Sequence, residues 1–196
     1  MNRDSALPTF KLDAGTFIAH ANPGHDGPVS LDSPALEVMT DLTLVKAATT
    51  QPGTSLRQAE QMMILQGVRM LFVVTDAPSF EGLVTTTDLR GDKQMRAVHD
   101  RGLHYDDLCV ADVMTELSLI DAIDLARMKS AVVGNVIATL QRFGRNHLLV
   151  VEAASAGTPR RVRGVISRSQ IERQLGAPIT ITPIASSFSE IERALF

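Results

Sequence analysis

Thr85, Thr87 and Asp88 follow the apolar stretch Gly82-Leu83-Val84, where a strand should give way to a turn or helix. A hydroxyl at a strand end, beside the first turn of a helix, combines a side-chain donor with free backbone N–H groups. That is an environment for phosphate. A carboxylate three residues on can accept from both hydroxyls of a ribose in charge-assisted bonds. The same residues also serve structure alone. Thr85 suits a strand because it is β-branched, and Asp88 suits a first helical turn because the macrodipole favours an acid there. A second set, Ser167, Arg168, Ser169 and Gln170, follows Gly164-Val165-Ile166 in the same way. There Gln170 stands in place of the acid. Its amide still bonds a hydroxyl but lacks the charge-assisted share, on the order of 1 kcal/mol.

Other reactive side chains are scattered. None of His20, His25, His99, His104 and His147 pairs at i, i+4 or joins a cysteine at ligand spacing. His99 and His104 lie close to Asp106 and Asp107, but no metal site is expected. His147 reads first as a surface or sheet-edge histidine. Cys109 precedes Val110-Ala111 and reads as a small core residue. Met62, Met63 and Met70 read as core rather than as a binding surface. Arg160-Arg161-Val162-Arg163 reads as solvated hairpin charge rather than as a contact for phosphate or an acidic partner. The chain has no Walker-type loop and no Ser–His–Asp order with a nucleophile elbow. No catalytic residue is assigned.

The chain that must position these groups has 196 residues, 44% hydrophobic and 21% charged, enough for one sizeable core or two small ones. A net charge of -3 weighs against a nucleic-acid partner, which leaves a basic footprint. Seven Phe, one Tyr and no Trp weigh against stacking platforms for single strands. One cysteine excludes an intrachain disulfide and fits a reducing compartment. Residues 1–10 lack a basic head followed by an apolar run, and no apolar stretch approaches the roughly 20 residues of a membrane span. A cytoplasmic protein without a membrane partner is expected.

The organising signal is an internal repeat. Val38-Met39-Thr40-Asp41-Leu42 returns as Val113-Met114-Thr115-Glu116-Leu117, 75 residues later. Gly67-Val68-Arg69-Met70-Leu71-Phe72-Val73-Val74 returns as Gly144-Arg145-Asn146-His147-Leu148-Leu149-Val150-Val151, an offset of 77. Gly82-Leu83-Val84-Thr85 returns as Gly164-Val165-Ile166-Ser167, an offset of 82. Order is kept, and the drift sits in residues 153–163, whose Ala, Gly, Ser, Pro and Arg are loop chemistry.

Each copy reads β-α-β-β-α. In the first, Thr54 or Ser55 caps a helix that buries Leu56, Ala59, Met62 and Met63 and ends at Gly67. Residues 71–74 and 83–85 are strands around a turn at 76–79, and a helix runs from Thr87 or Asp88 to about Val98. In the second, Val132, Val133, Val136, Ile137 and Leu140 form the helical stripe, which ends at Gly144. Residues 147–151 and 162–167 are strands, and 169–175 a closing helix. A short strand should precede each first helix, near 44–48 and 119–123.

This order resembles the CBS (cystathionine β-synthase) domain family, taken twice. Val38-Met39-Thr40 and Val113-Met114-Thr115 look like its opening motif, and Gly67-Val68-Arg69 with the following strand like its middle. Gly82-Leu83-Val84-Thr85-Thr86-Thr87-Asp88-Leu89 looks like its closing signature. The resemblance implies a mixed α+β or α/β fold, with two β-α-β-β-α repeats packed by their sheets about a pseudo-twofold axis. The expected parts are an N-terminal arm at 1–34, repeats at 35–98 and 110–176, a linker at 99–109 and a tail at 177–196. The arm carries Phe10, Leu12, Phe17, Ile18 and an Asn-Pro-Gly turn. The tail is an extended stretch followed by a short helix from Ser187 with Phe188, Ile191 and Leu195 on one side.

In that family adenosine ligands occupy one or both clefts between the repeats. The resemblance implies that Thr85 and Asp88 contact phosphate and ribose, helped by Thr87 and Arg69. Adenine would lie near Thr50, Pro52, Val68 and Met70. The second cleft, with Ser167, Arg168, Gln170, Asn146 and His147, should be weaker, empty or used by a different ligand. The implied function is a regulatory sensor of AMP, ADP, ATP or S-adenosylmethionine, with no obligatory cofactor. Its expected partners are a second copy in a twofold homodimer and a separate effector protein. The alternatives are a ligand-free interaction or dimerisation module, favoured by Gln170, and an enzyme of unknown class.

Overall fold

The structure, a computed structural model, describes residues 27–76, 79–102, 104–154 and 159–181. Local chemistry explains its two longest matched helices. Helix α1 (Leu56–Gln66) begins at a reciprocal capping box: Ser55 Oγ accepts from Gln58 N at 3.3 Å and Gln58 Oε1 accepts from Ser55 N at 3.2 Å. Its counterpart in the second repeat spans Val133–Phe143, where Asn135 Oδ1 accepts from Val132 N at 3.1 Å. Both end on a glycine in the left-handed region, Gly67 at φ 64° and Gly144 at φ 59°.

Each helix is followed by an antiparallel strand pair. Strands Met70–Val73 and Gly82–Thr85 pair in the first repeat, and His147–Glu152 and Arg161–Ser167 in the second. A short parallel strand flanks each pair, Thr49–Thr50 in the first and Ala122–Asp124 in the second. The fourth strand of each sheet comes from the other repeat. Met39–Asp41 pairs antiparallel with Arg161–Ser167, and Thr115–Glu116 with Gly82–Thr85. In chain order the strands are β1 Met39–Asp41, β2 Thr49–Thr50, β3 Met70–Val73, β4 Gly82–Thr85, β5 Thr115–Glu116, β6 Ala122–Asp124, β7 His147–Glu152 and β8 Arg161–Ser167. The sheets run β2-β3-β4-β5 and β1-β8-β7-β6, which are equivalent under exchange of the repeats.

The repeated glycines make this exchange possible. A Cβ on Gly82 would lie 2.4 Å from the Thr115 carbonyl oxygen, and one on Gly164 2.5 Å from Met39 Sδ. Each glycine clears the path of the other repeat's opening strand.

Period-2 alternation then divides the cores. Leu71 and Val73 face α1 in one cluster with Ala59, Met63 and Val84. Leu148 and Val150 face the second helix with Val136, Leu140 and Ile166. The residues between them, Met70, Phe72 and Leu149, join Leu83 in the seam between the two sheets. Among the described residues no helix is long and apolar enough to cross a membrane.

Several expectations need correction. The first short strand, β2, lies just beyond 44–48, and β6 begins at Ala122 inside 119–123; Leu44 and Leu119 point to solvent, 70% and 64% exposed. The helix after β4 is Asp92–Arg101, capped by Gly91, and does not start at Thr87 or Asp88. A closed turn intervenes there because Asp88 bonds back onto Thr85. That helix also runs past Val98 into the expected linker, to Gly102. After β8 the helix Arg168–Leu175 follows at once, one residue earlier than expected. Cys109 is half-buried at the start of the helix Val110–Val113, with Sγ 3.2 Å from Asp112 Oδ2. It is a capping position rather than a core one, and burial pushes its thiol pKa up. Arg160 and Arg161 are exposed on the β7–β8 hairpin, as expected, with Arg161 paired to Glu152 (2.6 Å), while the half-buried Arg163 pairs with Asp41. Ala77-Pro78 of the expected turn, the arm with Phe10, Leu12, Phe17, Ile18, His20 and His25, and the tail helix with Phe188, Ile191 and Leu195 lie outside the described residues.

Candidate functional site

Packing two sheets about a pseudo-twofold axis leaves a cleft on either side of the seam. The smaller cleft, about 150 Å³, is lined by Thr85, Thr87 and Asp88 of the first repeat. Opposite them stand Thr115, Ile120 and Asp121 and the run Gly144, Arg145, Asn146 and His147 of the second. The larger, about 950 Å³, is lined by Ser167, Ser169 and Gln170, followed by Arg173. Opposite them stand Thr40, Lys46 and the run Gly67, Val68, Arg69 and Met70 of the first repeat. Met70 and His147 are equivalent in the repeat, and both line both clefts. They are the partition at the axis.

In the smaller cleft the signature residues are occupied with one another. Asp88 Oδ2 accepts from Thr85 N at 2.8 Å and from Thr85 Oγ1 at 2.6 Å. Its other oxygen takes the Lys93 ammonium at 2.6 Å. Lys93 also donates to Val113 O at 3.1 Å and Thr115 Oγ1 at 3.0 Å, tying the signature to the second repeat's opening strand. A carboxylate has about four acceptor positions, and three are in use. In the larger cleft the link is direct: Thr40 Oγ1 donates to Gln170 Oε1 at 2.9 Å. Ser167 and Ser169 hydroxyls are 3.0 Å apart, leaving acceptor and donor capacity toward the cavity.

The charges differ as well. Around the larger cleft stand Lys46, Arg69 and Arg173, each exposed, with Glu172 as the acid. Glu172 is itself compensated: it accepts from Ile179 N at 2.9 Å and faces Arg168 at 3.5 Å. None of the three cations has a carboxylate partner among the described residues. The smaller cleft sets Asp88 and Asp121 against Arg145. Between the clefts, burial above all pushes the His147 pKa down to about 4, with Arg69 and Arg168 lowering it further and Asp88 opposing. Its ring is neutral at pH 7.

Residues 35–92 match the CBS domain family model. With the two-repeat architecture described above, the chain has the tandem CBS fold. An uncharacterized conserved protein from Pyrococcus horikoshii is similar in structure at 21% identity and TM-score 0.52, over 79% of this chain and 100% of that one. CBSX2, a CBS-pair protein from Arabidopsis thaliana solved in complex with AMP, is similar at 19% identity and TM-score 0.50, over 72% of this chain and 93% of that one. At these identities the likeness is one of fold. No curated protein matches the chain.

The CBS geometry regroups the residues singled out in the sequence. Thr85, Thr87 and Asp88 do share a cleft, but with Asn146 and His147 of the other repeat, not with Arg69 and Val68 of their own. Arg69 and Val68 join Ser167 and Gln170. The reason is the axis: each CBS signature faces the middle block of its opposite number. Thr50 is buried, its hydroxyl 3.8 Å from Met62 Sδ, and Pro52 bonds Ala111 N through its carbonyl. Neither lines a cleft. Arg168 turns to Glu172, while its backbone N–H donates to Asn146 O at 2.9 Å. His147, half-buried at the start of β7, pairs with Ser167 of β8 and lines both clefts. Residue-type reasoning missed Thr40, Lys46, Thr115, Asp121, Arg145 and Arg173. The duplicated opening motif marked Thr40 and Thr115, and the duplicated middle block contained Arg145. Nothing marked Arg173 on its helix. Among the described residues no group of three His, Cys, Asp or Glu could hold a metal.

Proposed function

We propose that this protein is a regulatory module that binds an adenine-containing nucleotide in the cleft between its CBS repeats, and that the larger cleft is the site. The observation that carries this reading is the larger cleft itself. Its volume of about 950 Å³ falls in the range of roughly 300–1,000 Å³ typical of ligand pockets, and the 150 Å³ of the other does not. Val68, Met70 and Phe72 give it an apolar wall for a base, and Ser167, Ser169 and Arg69 give donors for a phosphate. The tandem CBS fold and the AMP bound by CBSX2 support the adenosine class. We place the site here rather than in the first-signature cleft expected from Asp88, because three of that carboxylate's acceptor positions are taken by Thr85 and Lys93.

Ligand binding would act by population shift, changing the angle between repeats or between the subunits of a twofold homodimer, for a separate effector to read. The test is a thermal-shift series with AMP, ADP, ATP, S-adenosylmethionine and guanosine controls, followed by calorimetry. Ligand at 100 times its Kd should stabilise by about 2.7 kcal/mol. Stabilisation by adenosine compounds alone supports the reading. No response to any of them replaces it with the ligand-free interaction module, for which the inward-turned Gln170 and Asp88 speak.

A further inference from the structure

The repeat places equivalent residues at equivalent points of the two clefts, so their differences isolate what each cleft selects. Lys46 stands 75 residues before Asp121, the same offset as the opening motifs, and each lines the cleft of its own opening strand. Gln170 is the counterpart of Asp88 at the signature offset of 82. At both positions the larger cleft has shed an acid, and at one it has gained a base. Arg69 on one side and Arg145 on the other balance each other. Arg173 adds a further cation to the larger cleft alone.

The three cations of the larger cleft come from three elements: the loop after β1, the start of β3, and the helix Arg168–Leu175. Arg173 lies four residues beyond Ser169, roughly 6 Å further along the helix axis. A ligand held by the serines would have to extend that far to reach it. One phosphate at Ser167, Ser169 and Arg69 leaves Lys46 and Arg173 without counter-charge among the described residues.

Resting on the adenine-nucleotide reading above, we infer that the larger cleft selects a nucleoside polyphosphate over the monophosphate and over S-adenosylmethionine. Lys46 and Arg173 are the specificity-determining residues, reading the phosphates beyond the first. The sulfonium of S-adenosylmethionine would meet like charge there.

The test is calorimetry of the full chain with AMP, ADP, ATP, S-adenosylmethionine and inorganic triphosphate, without divalent cation, at low and high salt. Lys46→Gln, Arg173→Gln and the double variant are compared with wild type. Both side chains are exposed and unpaired among the described residues, so melting temperatures should match wild type. Wild type should bind ATP at least about tenfold more tightly than AMP at low salt, with the ratio shrinking as salt rises. The double variant should lose about tenfold or more for ATP and less than about threefold for AMP. Equal or tighter binding of AMP, tightest binding of S-adenosylmethionine, or equal losses for AMP and ATP in the double variant would each overturn the inference. If no adenosine compound binds, the nucleotide reading fails by itself. Triphosphate binding that disappears in the double variant would still uphold Lys46 and Arg173 as a polyanion site, and no triphosphate binding would end that too.

Discussion

His147 should make the stability of this protein depend on pH in the mildly acidic range. Its ring sits in the partition between the clefts, where burial and the neighbouring Arg69 and Arg168 lower its pKa from 6.5 to about 4. Between those values the unfolded chain takes up a proton that the folded chain refuses. Stability therefore falls as pH drops below about 6.5 and the loss is complete near 4. At about 1.4 kcal/mol per unit, the contribution is on the order of 3 kcal/mol. That is a large part of the roughly 5–15 kcal/mol available to a domain. His147→Met supplies the residue that the other repeat already has at the axis, Met70, and removes the titration. Urea unfolding of both proteins would be followed from about pH 7.5 to about pH 4.5. Carboxylates titrate in both and cancel, so the informative quantity is the difference between the two curves. The variant should gain on wild type by roughly 2–3 kcal/mol across that range. A constant difference would refute the account, because a ring whose folded pKa lies below its unfolded value must produce a slope.

Two further predictions address the links between repeats. Gly82→Ala places a methyl 2.4 Å from the Thr115 carbonyl, so β4 and β5 must separate. Stability should fall by about 1–3 kcal/mol in chemical denaturation, and hydrogen exchange at Thr115 and Glu116 should rise. Asp88→Asn strips the Lys93 ammonium of its charge partner and weakens the turn onto Thr85, at a cost of about 1–3 kcal/mol. Nucleotide affinity at the larger cleft should stay within about twofold of wild type. A large loss of affinity without a loss of stability would return the site to the smaller cleft.

The folding units were legible because they obey local rules. Ser55 and Gln58 announce a capped helix start, Gly67 and Gly144 its left-handed end, and the apolar runs after them the buried strands. Duplicated order then pointed to the paired fold. The helix after β4 was misplaced because Asp88 suits a helical first turn and a closed turn equally well. Only its bond to Thr85 and its pairing with Lys93, five residues on, decide between them.

What the sequence determined by itself was each repeat, since capping, periodicity and turn chemistry act over a few residues. What the tertiary structure alone decided was the partnership between repeats. It determined that Met39–Asp41 and Thr115–Glu116 cross to the opposite sheets, that Asp88 faces His147 while Gln170 faces Arg69, and that Lys46 and Arg173 share a cleft. These contacts join residues far apart in the chain, 130 positions between Thr40 and Gln170. They follow from a pseudo-twofold axis that sets each signature against the other repeat's middle block, and no spacing along one chain encodes that opposition.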